Sequence, residues 1–302
     1  MPPDSEDGNN EDIGNEDSDN GRFTMAKHDF KDRILVLTGA TGGIGRAVAR
    51  LFHDSGARLY LIDRDAAALA ALARELGADP ERAAAATAGN VPEKEGASAR
   101  NSAQAHDAAA ARLLTHAMDV SSPRDADAAA ARLRAAWGGV DFLVPAAGIY
   151  PADPLADMSD EQWRKTLAIN LDGVFYLTQR LVPLLRPGSA IVNISSLAAH
   201  RGAFRNAHYS ASKGALLSFT RSIARELGPA TRVNAVSPGI IETPMVAELL
   251  KTRADESVSQ SMLKRLGQAH EVATAIAFLC SDDASFITAQ VLHVNGGLYV
   301  PG

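Results

Sequence analysis

The run Ile34-Leu35-Val36-Leu37 leads straight into Thr38-Gly39-Ala40-Thr41-Gly42-Gly43-Ile44-Gly45, and helix-like sequence follows from Arg46 to a stop at Gly56. Little else in this chain restricts its fold as much. Four consecutive apolar residues suit a strand covered on both faces. A glycine-rich turn between such a strand and a helix brings free N–H groups and the positive end of the helix dipole to the strand's exit. A pyrophosphate can approach the backbone there. A plain strand–turn–helix corner is the other reading of the same residues.

The rhythm continues along the chain. Residues 59–62 form a second apolar run ending at Asp63, and residues 66–76 read as a helix closed by Gly77. Further strands are expected at 114–118, 142–144, 190–194, 232–236 and 291–294, with helices near 125–137, 160–185, 208–227 and 270–280. Alternation of this kind predicts an α/β fold, a Rossmann-like doubly wound parallel sheet with helices on both faces. A chain of 302 residues suits one such domain.

Two segments break the pattern. Residues 1–26 are acidic and polar with almost nothing apolar, which predicts a disordered tail before a single catalytic domain at 27–302. Residues 79–112 are alanine-rich and polar where a short connection belongs, so an inserted surface loop is expected. The net charge of −6 resides in the tail: residues 1–20 hold eight acidic side chains and no Lys or Arg, leaving +2 for the remainder. No basic field for nucleic acid is left. No apolar run reaches membrane-spanning length, and the acidic start carries no secretory pattern. The one cysteine, Cys280, stands in an apolar run, which fits a buried side chain in a reducing cytoplasmic setting. The eight histidines show no metal-ligand spacing, so no metal is expected.

Asp63 ends the second strand eighteen residues after Gly45. A carboxylate there can accept both hydroxyls of an adenosine ribose and repels a 2′-phosphate, which points to NAD over NADP. Arg46 and Arg64 are the cations that could argue otherwise. Asp119-Val120 ends the third strand, where an adenine contact and a helix cap are both open readings.

Tyr209 and Lys213 stand four residues apart in helix-like sequence, on one face and about a turn apart, with Ser196 thirteen residues upstream. An ammonium near a phenol favours the phenolate, and such a tyrosine can exchange a proton with an alcohol or ketone. Taken alone, the pair is an ordinary feature of a helix surface.

Together these motifs resemble the short-chain dehydrogenase/reductase family, in its single-domain branch, over residues 31–298 apart from the insertion. The turn from Thr38 to Gly45 has the family's T-G-x-x-x-G-x-G form. Pro145-Ala146-Ala147-Gly148 stands for its Asn-Asn-Ala-Gly, Asn170 matches the helix asparagine, and Ser196, Tyr209 and Lys213 match the remaining catalytic positions. Pro238-Gly239-Ile240-Ile241-Glu242-Thr243 resembles the segment that closes over the nicotinamide, and Val294-Asn295-Gly296-Gly297 the C-terminal signature. Replacement of two asparagines by Pro145 and Ala146 implies a loop held differently.

The resemblance implies a hydride transfer between a nicotinamide cofactor and a secondary alcohol or ketone. Tyr209 would be the acid/base, with Lys213 lowering its pKa and holding the nicotinamide ribose. Ser196 would bind the substrate oxygen, and Asn170 would anchor a water chain reached through Lys213. Cofactor contacts would come from Gly39, Thr41, Gly43, Ile44, Gly45, Asp63, Asp119, Val120, Ala147, Gly148, Tyr209, Lys213, Pro238, Gly239, Ile241 and Thr243. Substrate would be framed by residues 150–155, 197–206 and 245–263, with His200, Arg201, Phe204 and Arg205 as candidates to face it. The family also implies a homodimer or homotetramer paired through the helices of Asn170 and Tyr209. The alternatives are a 3-oxoacyl-carrier reductase using NADPH, a non-catalytic dinucleotide sensor, and an epimerase or dehydratase. Too little chain follows Asn295 for the substrate domain of the last.

Overall fold

A computed structural model describes residues 28–79, Ala83 and residues 111–301. The expected tail at 1–26 and nearly all of the expected insertion at 79–112 lie outside the described residues.

Seven parallel strands form one sheet in the order β3-β2-β1-β4-β5-β6-β7. They are β1 (Ile34–Thr38), β2 (Arg58–Asp63), β3 (Leu113–Ala117), β4 (Val140–Pro145), β5 (Leu185–Ile194), β6 (Thr231–Pro238) and β7 (Val291–Val294). The order reverses between β1 and β4, and in such sheets ligands collect at the carboxyl ends of the strands flanking that point.

Both faces of the central strands are buried, as their unbroken apolar runs require. Leu35 and Leu37 face one core with Phe52 of α1 (Gly43–Asp54), Leu72 of α2 (Ala66–Glu75) and Ile276 of α9 (Ala269–Cys280). Ile34 and Val36 face the other with Leu133 of α3 (Pro123–Trp137), Leu177 of α5 (Gly173–Leu181) and Ala224 of α7 (Ala207–Leu227). Cys280 is buried in the first core. The ends of α3 follow local chemistry: the Ser122 side chain caps its N-terminus, Pro123 opens it, and Gly138 closes it at φ 67°.

The expected helix at 160–185 runs as one helical stretch from Asp160 to Leu184, but its winding changes along the way. It is α4 (Asp160–Leu167), a π turn (Ala168–Asp172), α5, and a short 3-10 turn (Val182–Leu184), after which β5 begins at Leu185. The interruption belongs to packing. A Cβ on Gly173 would lie 2.8 Å from the Val120 carbonyl oxygen, so the chain approaches β3's exit more closely than an ordinary side chain allows. The π turn also carries Asn170 inward. Two α-helices among the described residues escaped the sequence reading: the single turn α6 (Ala198–Arg201) and α8 (Ala247–Gln260). Among the described residues, no helix is long and apolar enough to cross a membrane, and no group of three or more His, Cys, Asp or Glu could hold a metal ion.

Candidate active site

The glycines of the first turn are needed for separate reasons. Gly39 adopts φ 63°, and a Cβ there would stand 2.7 Å from the Ala147 Cα. On Gly45 a Cβ would fall 2.0 Å from the Gly39 carbonyl oxygen, and on Gly43 it would meet Thr243 Cγ2 at 2.5 Å. The turn is thus pressed against β4's exit on one side and the Thr243 segment on the other. The start of α1, which carries Ile44, is left facing the cleft.

Asp63 is locked to this turn. Its Oδ2 accepts from the Thr41 N–H at 3.0 Å and the Thr41 hydroxyl at 2.7 Å, and its Oδ1 accepts from the Arg64 N–H at 2.8 Å. The Arg46 cation is engaged elsewhere. Its Nε donates to the Thr41 carbonyl at 3.1 Å and its Nη1 to Glu75 Oε1 at 2.7 Å, while Arg50 takes Glu75 Oε2 at 2.9 Å. Asp119 is exposed, and its Oδ1 accepts from the N–H and hydroxyl of Ser121 at 2.9 and 2.7 Å. Those bonds hold its carboxyl below the usual range. The side chain that caps α3 is Ser122, so Asp119 organises the turn ahead of that cap.

Pro145 and Ala146 have no side-chain amides, and β1 supplies the grip instead. The Thr38 carbonyl accepts from the Ala146 N–H at 3.2 Å and the Thr38 hydroxyl from the Ala147 N–H at 3.1 Å. The next residues are held by Asn170, which is fully buried. Its Oδ1 accepts from the Ile149 N–H at 2.8 Å, and its Nδ2 donates to the Ile149 carbonyl at 3.0 Å and to Ser212 Oγ at 3.2 Å. In this geometry Asn170 is a clamp on the loop beyond Gly148. A Cβ on Gly148 would lie 3.2 Å from Asn170 Oδ1 and 3.6 Å from Lys213 Nζ.

Tyr209 and Lys213 are both buried on the inner face of α7. The Lys213 ammonium donates to the Ile194 carbonyl at 2.8 Å and sits 5.9 Å from the centre of the tyrosine ring. The expected lowering of the phenol's pKa does not appear. Burial pushes Tyr209 up to about 12, opposed by a hydrogen bond from Ser196 and reinforced by Tyr150. Burial also pushes Lys213 down to about 8. In a water-poor wall, desolvation of each charged form outweighs the influence of the neighbour. Tyr150 packs edge-on against Tyr209, with ring centres 4.6 Å apart.

The fourth wall is the segment after β6. The Gly239 N–H donates to the Val294 carbonyl at 2.9 Å, and a Cβ on Gly239 would stand 2.8 Å from the Asn295 Cα. The glycine-rich C-terminal signature is therefore a packing partner of this segment. These walls enclose a cleft of about 920 Å³. Gly39, Gly43, Ile44, Gly45, Gly148, Ser196, Tyr209, Lys213, Pro238, Gly239, Ile241 and Thr243 line it, as do Arg201, Phe204 and Arg205. Thr41, Asp63, Asp119, Val120, Ala147 and Asn170 stand outside that lining, the first two joined to it through the turn and Asn170 through Ile149. His200 turns away, its Nε2 3.1 Å from Ser237 Oγ and its ring stacked on Tyr299.

Sequence reasoning missed the supporting groups: the Thr38 hydroxyl, Ser212, and the Ser195 hydroxyl, which donates to the Lys213 carbonyl at 2.8 Å. Each adjoins a motif residue, but nothing in spacing alone marks which hydroxyl turns inward. The assembled cleft is lined by the glycine turn on one side and by Ser196, Tyr209 and Lys213 on the other, so that N–H groups able to meet a phosphate and two hydroxyls with an ammonium share one cleft.

The known proteins that this chain resembles agree with such a cleft. Residues 82–299 match the family model described as Enoyl-(Acyl carrier protein) reductase, and residues 33–100 the model described as short chain dehydrogenase. The 3-oxoacyl-(acyl-carrier-protein) reductase of Escherichia coli is 33% identical over 274 residues, covering 90% of this chain and 99% of that protein. Nodulation protein G of a Rhizobium species is 33% identical over 271 residues, covering 88% and 96%. A crystal structure from Brucella melitensis, described as a short-chain dehydrogenase/reductase, glucose/ribitol dehydrogenase, is 52% identical with a TM-score of 0.79, covering 91% of this chain and 100% of its own.

Proposed function

The chain belongs to the short-chain dehydrogenase/reductase family, and from that premise we propose how its own residues divide the work. It is a nicotinamide-dependent oxidoreductase acting between a CH–OH group and a ketone. The nicotinamide, when bound, gives or takes the hydride.

Tyr209 is the acid/base. Its phenol, neutral in the buried site, donates a proton to the substrate oxygen during ketone reduction and is then reprotonated from solvent; in the reverse direction it first gives its proton up to solvent, and the phenolate takes one from the alcohol. Ser196, already hydrogen-bonded to that phenol, steadies charge developing on the same oxygen. Lys213 brings a cation to the neighbourhood and would hold the cofactor ribose, while Asn170 holds the loop beyond Gly148 through Ile149. The turn from Gly39 to Gly45 would hold the pyrophosphate, and the close approaches at Gly43 and Gly45 fit that role. The observation that carries the reading is the convergence of Ser196, Tyr209 and Lys213 on the cleft that the glycine turn opens into.

The proposed cofactor is NAD(H). Asp63 stands fixed beside the turn, and the nearest cation in the turn, Arg46, is spent on Glu75. A second reading, a 3-oxoacyl-carrier reductase using NADPH, draws support from the relatives of that name. Homo-oligomerisation, a cytoplasmic location, and a single domain at 27–302 following an acidic tail complete the proposal.

A substrate panel tests it. Ribitol and glucose with NAD and NADP, and ethyl acetoacetate with NADH and NADPH, are each assayed for turnover. NAD(H) is expected to be preferred, and a strong NADPH preference with ethyl acetoacetate alone would select the second reading. Tyr209→Phe should lower kcat by about 10²–10⁴-fold while the cofactor Kd stays nearly unchanged. Cofactor binding without turnover of any alcohol or ketone would favour the dinucleotide sensor.

A further inference from the structure

One buried titratable side chain beside the reacting tyrosine takes no part in the chemistry above. His208 is fully buried. Its helix, α7, begins at Ala207 with Asn206 in the capping position, yet the Asn206 side chain makes no capping bond and donates instead to the Pro151 carbonyl. The first N–H groups of a helix lack an acceptor within it. For Tyr209, the third helical residue, that acceptor is His208 Nδ1 at 2.9 Å. The lone pair is then on Nδ1 and the proton on Nε2, which lies 3.0 Å from Asp153 Oδ2 and donates to it. The other oxygen, Asp153 Oδ1, accepts from Gln162 Nε2 at 2.7 Å, and Gln162 is itself held by the capping box at the start of α4.

The chain of bonds runs from α4 through Asp153 and His208 to the backbone of Tyr209. Its midpoint, residues 150–153, is the cleft wall carrying Tyr150, whose ring meets Tyr209 edge-on. Asn206 and His208 thus fasten one loop to the first turn of α7 at two points.

We propose that His208 and Asp153 are positioning residues that lock the substrate wall at 150–153 to the first turn of α7, so that the Tyr209 phenol and the wall against which substrate lies keep one spacing. The pair acts through a neutral imidazole with one acceptor and one donor, a geometry that an apolar side chain at 208 cannot reproduce. It acts on the same loop as Asn170 but at a later point, Asn170 holding Ile149 and the pair holding residue 153, while Asp63 and Thr41 act on the glycine turn. The inference rests on Tyr209 being the acid/base.

Asp153 is the position to vary, because its side chain is 19% exposed whereas that of His208 is fully buried. The assay uses whichever of ribitol, glucose or ethyl acetoacetate the wild type turns over fastest. Asp153→Ala is expected to lower kcat/KM for that compound about 10–100-fold, since small displacements of reacting groups have effects of that size. The NAD(H) Kd should stay within about twofold, because the phosphate and ribose contacts lie elsewhere. Asp153→Asn keeps an acceptor for the His208 Nε2–H but turns a donor toward Gln162 Nε2, so it should recover part of the loss, to within about tenfold of wild type. Unchanged kinetics in Asp153→Ala would overturn the proposal. So would a fall in cofactor affinity and Tm that matches the fall in kcat/KM, or a failure of Asp153→Asn to rescue. Retained activity in Tyr209→Phe would remove the acid/base reading and this inference with it, whereas a normal Tyr209→Phe result beside an inert Asp153→Ala would remove this inference alone.

Discussion

Burial works against the charged forms of both Tyr209 and Lys213, and the stability of the protein should register it. Lys213 falls to about 8 in the folded chain from 10.5. Below pH 8 the ammonium is charged in folded and unfolded chains alike, and the fold bears the full cost of burying it, on the order of 3 kcal/mol. From pH 8 to about 10.5 the unfolded chain holds a proton that the folded one has lost, so stability from this group rises with pH. Tyr209, raised to about 12, works the other way: its contribution is intact below pH 10 and is lost as pH climbs toward 12. Lys213→Met should therefore raise Tm at pH 7, by less than the whole penalty because the Ile194 carbonyl loses its donor. The gain should shrink as the melt is repeated toward pH 10, and turnover should be lost throughout. A Tm at pH 7 below wild type would refute this account. The residue scale also shows where spacing runs out. Tyr209, Lys213 and Ser196 were legible because their chemistry is strung along the chain. The Asp153–His208 contact joins residues 55 apart, and only the meeting of two elements displays it.

At the scale of elements, the strands and the glycine turn were the most legible, because burial on both faces leaves runs of apolar residues and close backbone contacts leave glycines. Gly45 is the sharpest case. A methyl group there would stand 2.0 Å from the Gly39 carbonyl oxygen, in backbone that cannot yield without opening the turn. Gly45→Ala should weaken NAD(H) binding at least tenfold in a fluorescence titration and cost about 1–3 kcal/mol of stability in a denaturant melt. Near-normal affinity would show that the turn does not hold the pyrophosphate. The π turn inside the helix at 160–185 was not legible because periodicity averages over a window and cannot register its extra residue. The cause lies across the fold, in the Val120 backbone against Gly173 and in Ile149 awaiting Asn170. Helix α8 was missed because its sequence, Ala247–Gln260, is polar with no clear apolar stripe.

At the scale of the whole molecule, the outer face of the helices that carry Asn170 and Tyr209 remains partly apolar. Phe175 is 46% exposed and Val182 38%, and Phe175 meets Phe219 of α7 edge-on at 6.5 Å. If the proposed homo-oligomer forms through this face, Phe175→Asp should reduce the mass measured by light scattering, with each protomer still folded by circular dichroism. A wild-type protein that is monomeric at assay concentration would set the oligomer aside. The sequence by itself determined the layered α/β class, the strand–turn–helix at the start, and the residues that can exchange a proton, because each follows from a local period, a steric demand for glycine or the chemistry of a side chain. The tertiary structure alone decided how those residues are held. It substitutes Thr38 for the missing asparagines, gives Arg46 to Glu75, sets Lys213 on the Ile194 carbonyl and ties His208 to Asp153. Such pairings depend on which segments the sheet order brings together, and side-chain chemistry cannot choose among possible partners until that order has placed one within hydrogen-bond reach.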